Sequence, residues 1–211
     1  MAANWFRNEA WNPAIAAAFD VRLRRARDKS QYLAIQAYCL RIAHPTVALE
    51  LTDRCFEITQ SLAHSMDATR AYEVRAVAHL ALGNIEAAFA NFDIVLERER
   101  QNSHFRTNVC FDYPYLIALL GVTARFDQAL AIMNNVDSGL SFPATDFKQN
   151  AARAIIFSSK NLHADAKSHA CAALTAAART HSGLRYHADI GLVRDADAEM
   201  MKALQRIAAS E

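Results

Sequence analysis

A pattern of helix, tight turn and helix recurs along this chain, and it limits the possible folds more than any other feature. The clearest copy spans residues 71–92, where Gly83-Asn84 separates two stretches typical of helices. Looser copies lie on both sides of it. Because a single helical hairpin cannot bury its apolar face alone, repeated hairpins stack against one another. The pattern therefore predicts an all-α chain built as an array of stacked hairpins.

The composition agrees with an all-α fold. The 211 residues include only 5 Gly and 4 Pro, too few for the many turns of a β-sandwich or a barrel. Hydrophobic residues make up 53% of the chain, and Ala, the best helix former, is abundant among them. We expect a single helical repeat domain over residues 1–211.

Charge and hydropathy restrict the class of partner and the compartment. The chain has 23 Lys and Arg against 22 Asp and Glu, so its net charge favours neither nucleic acid nor a membrane surface as partner. Its apolar runs are interrupted well before the roughly 18 residues that a membrane-spanning helix needs. The start of the chain lacks a basic stretch followed by an apolar one, and the 4 cysteines form no C-x-x-C pair. We expect a reduced, cytoplasmic protein whose cysteines are small buried side chains.

Apolar residues at three- and four-residue spacing predict where the helices lie. Residues 137–143 form the strongest break in this periodicity and are interpreted as a long loop between repeats. The predicted helices cover about residues 13–28, 30–44, 47–58, 67–82, 85–98, 112–121, 126–134, 145–159, 164–179 and 192–209.

The residues at the predicted helix starts have the side chains that helix termini require. Asn12 precedes Pro13, so an Asn can accept from free amides while Pro occupies the first turn. Pro114 is expected in the first turn of its own helix, where a proline is tolerated. The expected capping residues of later helices are Ser30, Asp67 and either Thr145 or Asp146.

The hairpin at Gly83 resembles a tetratricopeptide repeat. That family alternates large and small residues along both helices, so that the helices approach closely and large side chains fill the grooves. The corresponding positions here are Tyr72, Ala76, His79, Ala88, Phe92 and Val95. With the looser copies, the repeats cover about residues 29–62, 69–102, 110–137 and 147–179. They begin roughly 37 to 41 residues apart, whereas the family's period is about 34.

The resemblance implies an α-α superhelix with an extra N-terminal helix and a C-terminal capping helix over residues 192–209. Repeat arrays need such ends because a terminal hairpin otherwise exposes its apolar face. Trp5, Phe6 and Trp11 are expected to form part of the N-terminal seal.

The resemblance also implies that the first helix of each hairpin lines a ligand-facing groove. The clamp of Lys, Arg and Asn with which some members hold a peptide carboxylate is absent. Two interpretations of the groove stay open: an amphipathic helix of a partner docks there, or the final helix of this chain fills it with Met200, Leu204 and Ile207. The implied groove positions are mostly apolar: Leu33, Ala37, Leu40, Glu73, Val77, Leu80, Pro114, Ala118, Gly121, Ala151, Ile155 and Ser158.

Two sets of side chains are candidates for binding. The first set consists of charged residues within the predicted hairpins: Arg41, Arg70, Glu73 and Lys148. Polar side chains on an ordered loop often carry recognition, and the irregular segment 182–191 is such a loop, bracketed by glycines. Its candidate residues are Arg185, Tyr186, His187 and Asp189.

These observations favour a non-catalytic scaffold or adaptor that binds a protein or peptide partner, with homo-oligomers among the expected assemblies. Two alternatives stay open at the 182–191 loop. One is a regulatory module that binds a small peptide or an anion. The other is an enzyme that uses Arg185, His187 and Asp189, which requires His187 and Asp189 to face each other in a closed polar pocket.

Neither a metal nor a cofactor is expected. His163, Asp165 and His169 lie close in sequence, but on a helix only Asp165 and His169 share a face, which leaves at most two ligands. A basic run on the first helix is interpreted as a solvated face with local ion pairs. This run consists of Arg22, Arg24, Arg25 and Arg27.

Overall fold

The computed structural model of this protein describes residues 4–60, 65–102, 104, 106–136 and 142–210. Within these ranges the chain is all-helical and contains no β-strand, which confirms the predicted fold class. A short 3₁₀ turn at Thr123–Arg125 precedes α7. The helices are α1 (Pro13–Arg25), α2 (Lys29–Leu40), α3 (Pro45–Thr59), α4 (Met66–Ala81), α5 (Ile85–Gln101), α6 (Val109–Leu119), α7 (Phe126–Asn134), α8 (Pro143–Ser159), α9 (His163–Ala177) and α10 (Ala198–Ala209).

In the described part of the chain, no helix combines the length and the apolar character that crossing a lipid bilayer requires. Most of the break predicted over residues 137–143 lies outside the described residues, which resume at residue 142.

Two of the predicted helix caps are wrong, because the residues in question bond to each other instead. α1 begins as predicted, with the Asn12 side chain accepting from the Ile15 amide at 2.9 Å. α2, however, already includes Ser30, whose hydroxyl donates to Asp67 Oδ2 at 2.7 Å. The cap of α4 is Ser65, whose Oγ accepts from the Ala68 amide at 3.2 Å. The Ser30–Asp67 hydrogen bond therefore joins α2 to α4.

The starts of α6, α8 and α10 also differ from the prediction. α6 begins at Val109, so Pro114 lies in its second turn and deprives one carbonyl group of its helical donor. α8 begins at Pro143, and the Thr145 hydroxyl accepts from the Phe142 amide at 3.0 Å from within the first turn. α10 begins only at Ala198, because Asp197 caps it by accepting from the Met200 amide at 2.8 Å.

Three hairpin turns share one backbone geometry. In each, a residue with positive φ follows the first helix: Gly83 (φ 76°), Gly121 (φ 64°) and Asn161 (φ 59°). The next amide bonds back across the helix end, over 2.8 Å from Asn84 to the His79 carbonyl, 3.0 Å from Val122 to Ile117 and 2.9 Å from Leu162 to Phe157. This is the Schellman geometry, which favours a residue tolerant of the left-handed conformation. The turn is therefore a repeated structural element at the ends of α4, α6 and α8.

The contacts divide the chain into two compact units, Met1–Val109 and Cys110–Glu211. In the first unit α2 packs against α3 and α4, and α4 packs in turn against α5. Trp5, Phe6 and Trp11 pack against its core, which confirms the predicted N-terminal seal. The core side chains are Phe19, Leu23, Leu33, Ala34, Ala37, Leu40, Ala48, Leu51, Cys55, Ala71, Val74 and Ala78. The prediction of a single domain stays a prediction.

In the second unit α8 and α9 form a close hairpin, and α10 packs against both. Met200 and Leu204 of α10 are buried with Ala151, and Ile155 packs against the same cluster. α10 therefore packs against α8 and α9 in the way that α4 packs against α2 and α3. It lies where the first helix of a following hairpin would lie. This packing is that expected of a capping helix, and the occupant of the implied groove stays a prediction.

The cysteines are not uniformly buried. Cys55 is fully buried, and desolvation, with a further contribution from Asp67, raises the pKa of its thiol to about 12. Cys39 and Cys110 are only half-buried. Cys171 is exposed, so the prediction of a buried side chain is wrong there, because Cys171 lies on the solvent side of α9.

We predict that Ala88→Trp disrupts the α4–α5 hairpin, whereas Ala90→Trp does not. Ala88 has 0% exposure, as the repeat pattern requires, while Ala90 on the same helix is exposed. Overpacking a close helix crossing costs at least about 1–3 kcal/mol. Urea unfolding followed by circular dichroism measures the difference. Equal stability of the two variants would contradict the register of the hairpin.

His79 makes stability depend on pH. Its Nδ1 atom is buried with no hydrogen-bond partner among the described residues. Desolvation, with a contribution from Arg75, lowers its pKa in the folded state. Below about pH 6.5 the unfolded chain therefore binds more protons at this position than the folded chain, and stability falls as the pH falls.

We predict that His79→Phe makes the decline of unfolding free energy between about pH 7 and pH 5 shallower than in the wild type. Phe supplies the aromatic side chain that this position accommodates without a titrating group. His187→Phe is the control, because His187 is exposed. The same pH slope in the wild type and in His79→Phe would show that His79 titrates normally in the folded state.

Candidate binding cleft

A concave cleft of about 210 Å³ lies in the first unit, where α2 and α4 pack against each other beside the N-terminal segment. Its apolar floor comes from Ala34 and Val74, and Ile35 continues it along α2. Polar and aromatic side chains surround this floor. The residues that line the cleft are Arg7, Ala34, Ile35, Tyr38, Arg70, Glu73 and Val74.

One buried amide fixes the N-terminal wall of the cleft. The Gln36 side chain has 0% exposure, and its amide group forms hydrogen bonds with both the N–H and the C=O of Asn8. Its Oε1 accepts from the Asn8 amide at 3.0 Å, and its Nε2 donates to the Asn8 carbonyl at 2.7 Å. The Asn8 side chain adds a bond of 2.8 Å to the same Oε1. These bonds hold Arg7, the preceding residue, at the edge of the cleft.

Aromatic packing supports the same segment. The Trp5 ring lies 5.4 Å from that of Phe19 and 5.0 Å from that of Tyr32, measured between centroids. Phe6 contacts Tyr32 at 4.7 Å, and the Arg7 guanidinium lies 5.6 Å from the Phe6 ring. Rings at these separations attract one another beyond their burial. The segment is therefore attached on an apolar side and on a hydrogen-bonded side.

An exposed tyrosine and an arginine form a fixed pair at the end of α2. The Arg41 Cζ lies 3.5 Å from the centre of the Tyr38 ring, and Arg41 Nη1 donates to the Tyr38 carbonyl. The Tyr38 residue is 50% exposed. A stacked guanidinium keeps its edge free for further hydrogen bonds, so Arg41 presents an oriented donor beside the cleft.

The charges near this end of α2 act on Cys39. Burial raises the pKa of the Cys39 thiol, while the positive charges of Arg7 and Arg41 lower it more than the charge of Glu9 raises it. Both guanidinium groups therefore lie near this turn of the helix. Arg70 is exposed on the α4 side of the cleft.

Three of the predicted binding residues converge here. Arg70 and Glu73 line the cleft, and Arg41 adjoins it through its stack on Tyr38. Lys148 does not belong to this set, because it lies in the second unit. There its Nζ pairs with Asp112 Oδ1 at 2.5 Å and joins α8 to α6. Lys148 therefore has a structural contact that accounts for its charge.

The 182–191 loop is irregular, as predicted, and is organised around a buried serine. Ser182 Oγ donates to the His187 carbonyl at 2.6 Å and accepts from the Leu184 amide at 3.0 Å. Gly191, at φ 67°, accepts from the Ala144 amide at 2.7 Å, which fixes the loop to the start of α8. A Cβ atom on Gly191 would lie 2.6 Å from Phe142, so the approach requires glycine.

The candidate side chains of this loop point into solvent. Arg185, Tyr186, His187 and Asp189 are all exposed, with Tyr186 at 79%. The Arg185 Cζ lies 5.2 Å from the Tyr186 ring. The closed pocket with His187 facing Asp189, which the enzymatic alternative requires, is not formed, because both side chains of the described loop are solvated.

The remaining polar clusters have structural explanations. Across the described ranges, no group of three or more His, Cys, Asp or Glu is arranged to hold a metal ion. His169 Nδ1 lies 2.8 Å from Asn150 Oδ1, and desolvation, followed by the charge of Arg153, lowers the pKa of His169. The basic run is exposed, as its interpretation as a solvated face predicts, but Arg27 lies beyond α1, which ends at Arg25.

No protein-family model matches this chain, and no significant similarity is found to a curated protein or to a solved structure. The tetratricopeptide resemblance therefore stays a prediction, which depends on the alternation of large and small residues and on the shared turn geometry.

The sequence alone did not indicate Arg7, Gln36 or Tyr38 as parts of a site. A signal for Gln36 was present, because this polar residue interrupts the apolar face formed by Leu33, Ala37 and Leu40. A buried amide on such a face requires partners, and their source was not visible in the local sequence. Arg7 gave no comparable signal.

We predict that Gln36→Leu detaches the N-terminal segment and lowers stability by about 1–3 kcal/mol, because the Asn8 backbone groups lose their partners. The chain has 2 Trp, and both Trp5 and Trp11 belong to this seal, so tryptophan emission reports on it selectively. We expect a red-shifted emission maximum and faster acrylamide quenching. Gln205→Leu, at an exposed position of α10, is the control. Unchanged quenching in Gln36→Leu would show that the hydrogen bonds between Gln36 and Asn8 do not hold the segment.

Proposed function

We propose that this protein is a non-catalytic interaction module that binds a short segment of a partner protein in the cleft between α2 and α4. The observation that carries the proposal is a concave apolar floor bordered by an exposed tyrosine and by arginines. Tyr and Arg are enriched among the residues that dominate the free energy of protein–protein association. Clefts between helices are also common sites of binding.

The size and surroundings of the cleft favour a peptide over a free small molecule. A volume of about 210 Å³ is below the roughly 300–1,000 Å³ of ordinary small-molecule pockets. Apolar side chains continue from the cleft through Ile35 and Tyr38 of α2 to Ile42 in the turn that follows, where Ile42 is 66% exposed. A longer segment contacts both the cleft and these side chains, and so buries more apolar area than a small molecule would.

The tetratricopeptide resemblance favours the same pair of helices but a different face of α2. Of the groove positions it implies, Glu73 lines the cleft, whereas Leu33, Ala37 and Leu40 are buried in the core. The resemblance implies that the first helices of successive hairpins line the ligand-facing groove, and α2 and α4 are the first helices of their hairpins. We keep a cytoplasmic location and self-association as predictions of this proposal. The 182–191 loop is a weaker candidate for binding a peptide or an anion, because its side chains are solvated individually.

Selection from a displayed library of random peptides tests the proposal on the full chain. We expect enriched peptides to bind the wild type and to lose at least about fivefold in affinity with Tyr38→Ala, since truncating such a residue costs more than about 1 kcal/mol. Val74→Arg, which fills the floor with a charged side chain, should abolish binding. Tyr186→Ala is the matched control, because it removes an exposed tyrosine from the other unit. Enriched peptides that are indifferent to Tyr38 and Val74, or a failure to enrich any peptide, would contradict the proposal.

A further inference from the structure

Arg7 and Arg70 line the cleft and Arg41 adjoins it through Tyr38, and the fold restrains two of these three arginines. Arg7 is held by the hydrogen bonds from Gln36 to the backbone of the adjacent Asn8, and by its own contact with the Phe6 ring. Arg41 is held by its stack on Tyr38. Side chains restrained before binding lose less conformational entropy when a ligand engages them.

The third guanidinium group, Arg70, is exposed and has no ion pair among the described residues. Arg75, by contrast, is one turn further along α4 and is already paired with Asp53 of α3. The chain therefore neutralises one arginine of α4 and leaves the other available beside the cleft.

Carboxylates nearby offset only part of this positive charge. Glu73 lines the cleft and is itself engaged in an interaction, and Glu9 lies on the N-terminal segment. At Cys39 the arginine charges outweigh that of Glu9. The cleft is thus locally cationic in a chain whose formal net charge is only +1.

We propose that the occupant of the cleft is an acidic peptide segment, in which a large apolar side chain contacts the floor and flanking Asp or Glu side chains pair with Arg7, Arg41 and Arg70. This inference rests on the proposed function. Guanidinium groups bind carboxylates through paired, charge-assisted hydrogen bonds, which are stronger than neutral ones.

The same cations favour a peptide over nucleic acid. Nucleic-acid surfaces are extended basic stripes, whereas here the cations border an apolar floor and the Glu73 carboxylate. An apolar floor matches a leucine or phenylalanine side chain and offers no partner to a phosphate chain.

Fluorescence anisotropy with three labelled peptides tests the inference on the full chain. Each peptide has a central pair of leucines, flanked by glutamates, by glutamines or by lysines, and each is acetylated and amidated so that no terminal carboxylate takes part. We expect the acidic peptide to bind at least about tenfold tighter than the neutral one, and the basic peptide most weakly. The preference should shrink between about 50 mM and 300 mM NaCl, because salt screens exposed charges.

Matched charge variants connect this preference to the cleft. We expect Arg7→Gln, Arg41→Gln and Arg70→Gln each to weaken acidic-peptide binding by roughly three- to tenfold, while binding of the neutral peptide changes little. The control removes the same charge elsewhere, through Arg22→Gln, Arg24→Gln and Arg25→Gln on the exposed face of α1. Arg41→Lys retains the charge without the planar fork and should fall between the wild type and Arg41→Gln.

The outcomes separate this inference from the proposed function. Equal affinity for the acidic and neutral peptides would overturn the inference and leave the proposed function standing. Loss of affinity in the α1 control as large as in the cleft variants would also overturn it. So would tighter binding of a single-stranded oligonucleotide with the same dependence on the three arginines. If a cleft variant unfolds, the comparison of the three peptides on the wild type still decides.

Discussion

Close approach of helices through alanine is the constraint on which this structure depends. Ala76 and Ala88 are fully buried on α4 and α5, and Ala151 and Ala170 are fully buried on α8 and α9. Alanine lets two helix axes approach until their backbones nearly touch, and larger side chains then fill the spaces beside each crossing. The Tyr72 ring does this at 4.5 Å from Phe56, between α4 and α3. The alternation of side-chain size therefore sets where each helix packs.

The positions of the helices were predictable from the sequence because they depend on local periodicity, and the cap at Asn12 was predictable because it is a local bond. The caps at Ser30 and Asp67 were not, because each residue found its partner on another helix. Pro114 was predicted in the first turn of its helix but lies in the second, because α6 begins one turn earlier than the prediction. Wherever a tertiary contact competes with a local bond, the local signal alone gives the wrong answer.

The same distinction explains what could be predicted of the site. Glu73 is one of the groove positions that the repeat pattern implies, Arg70 precedes it by three residues on α4, and Arg41 follows the last residue of α2. Arg7 reaches the cleft only because Gln36, 28 residues from Asn8 in sequence, replaces the backbone partner that Asn8 lacks. No spacing rule predicts such a contact. Lys148 shows the opposite error. It was predicted to bind a partner because of its charge, but that charge pairs with Asp112 within the chain.

The N-terminal segment covers α2 only in part. Its aromatic side chains bury the face of α2 that contains Leu33 and Leu40, while Ile35 and Tyr38 on the adjacent face stay partly or largely exposed. The segment therefore seals the core, and its attachment at Asn8 to Gln36 of α2 places Arg7 at one wall of the cleft. Aromatic packing and the Gln36 hydrogen bonds act together here, so the same attachment that covers the core also shapes the cleft beside it.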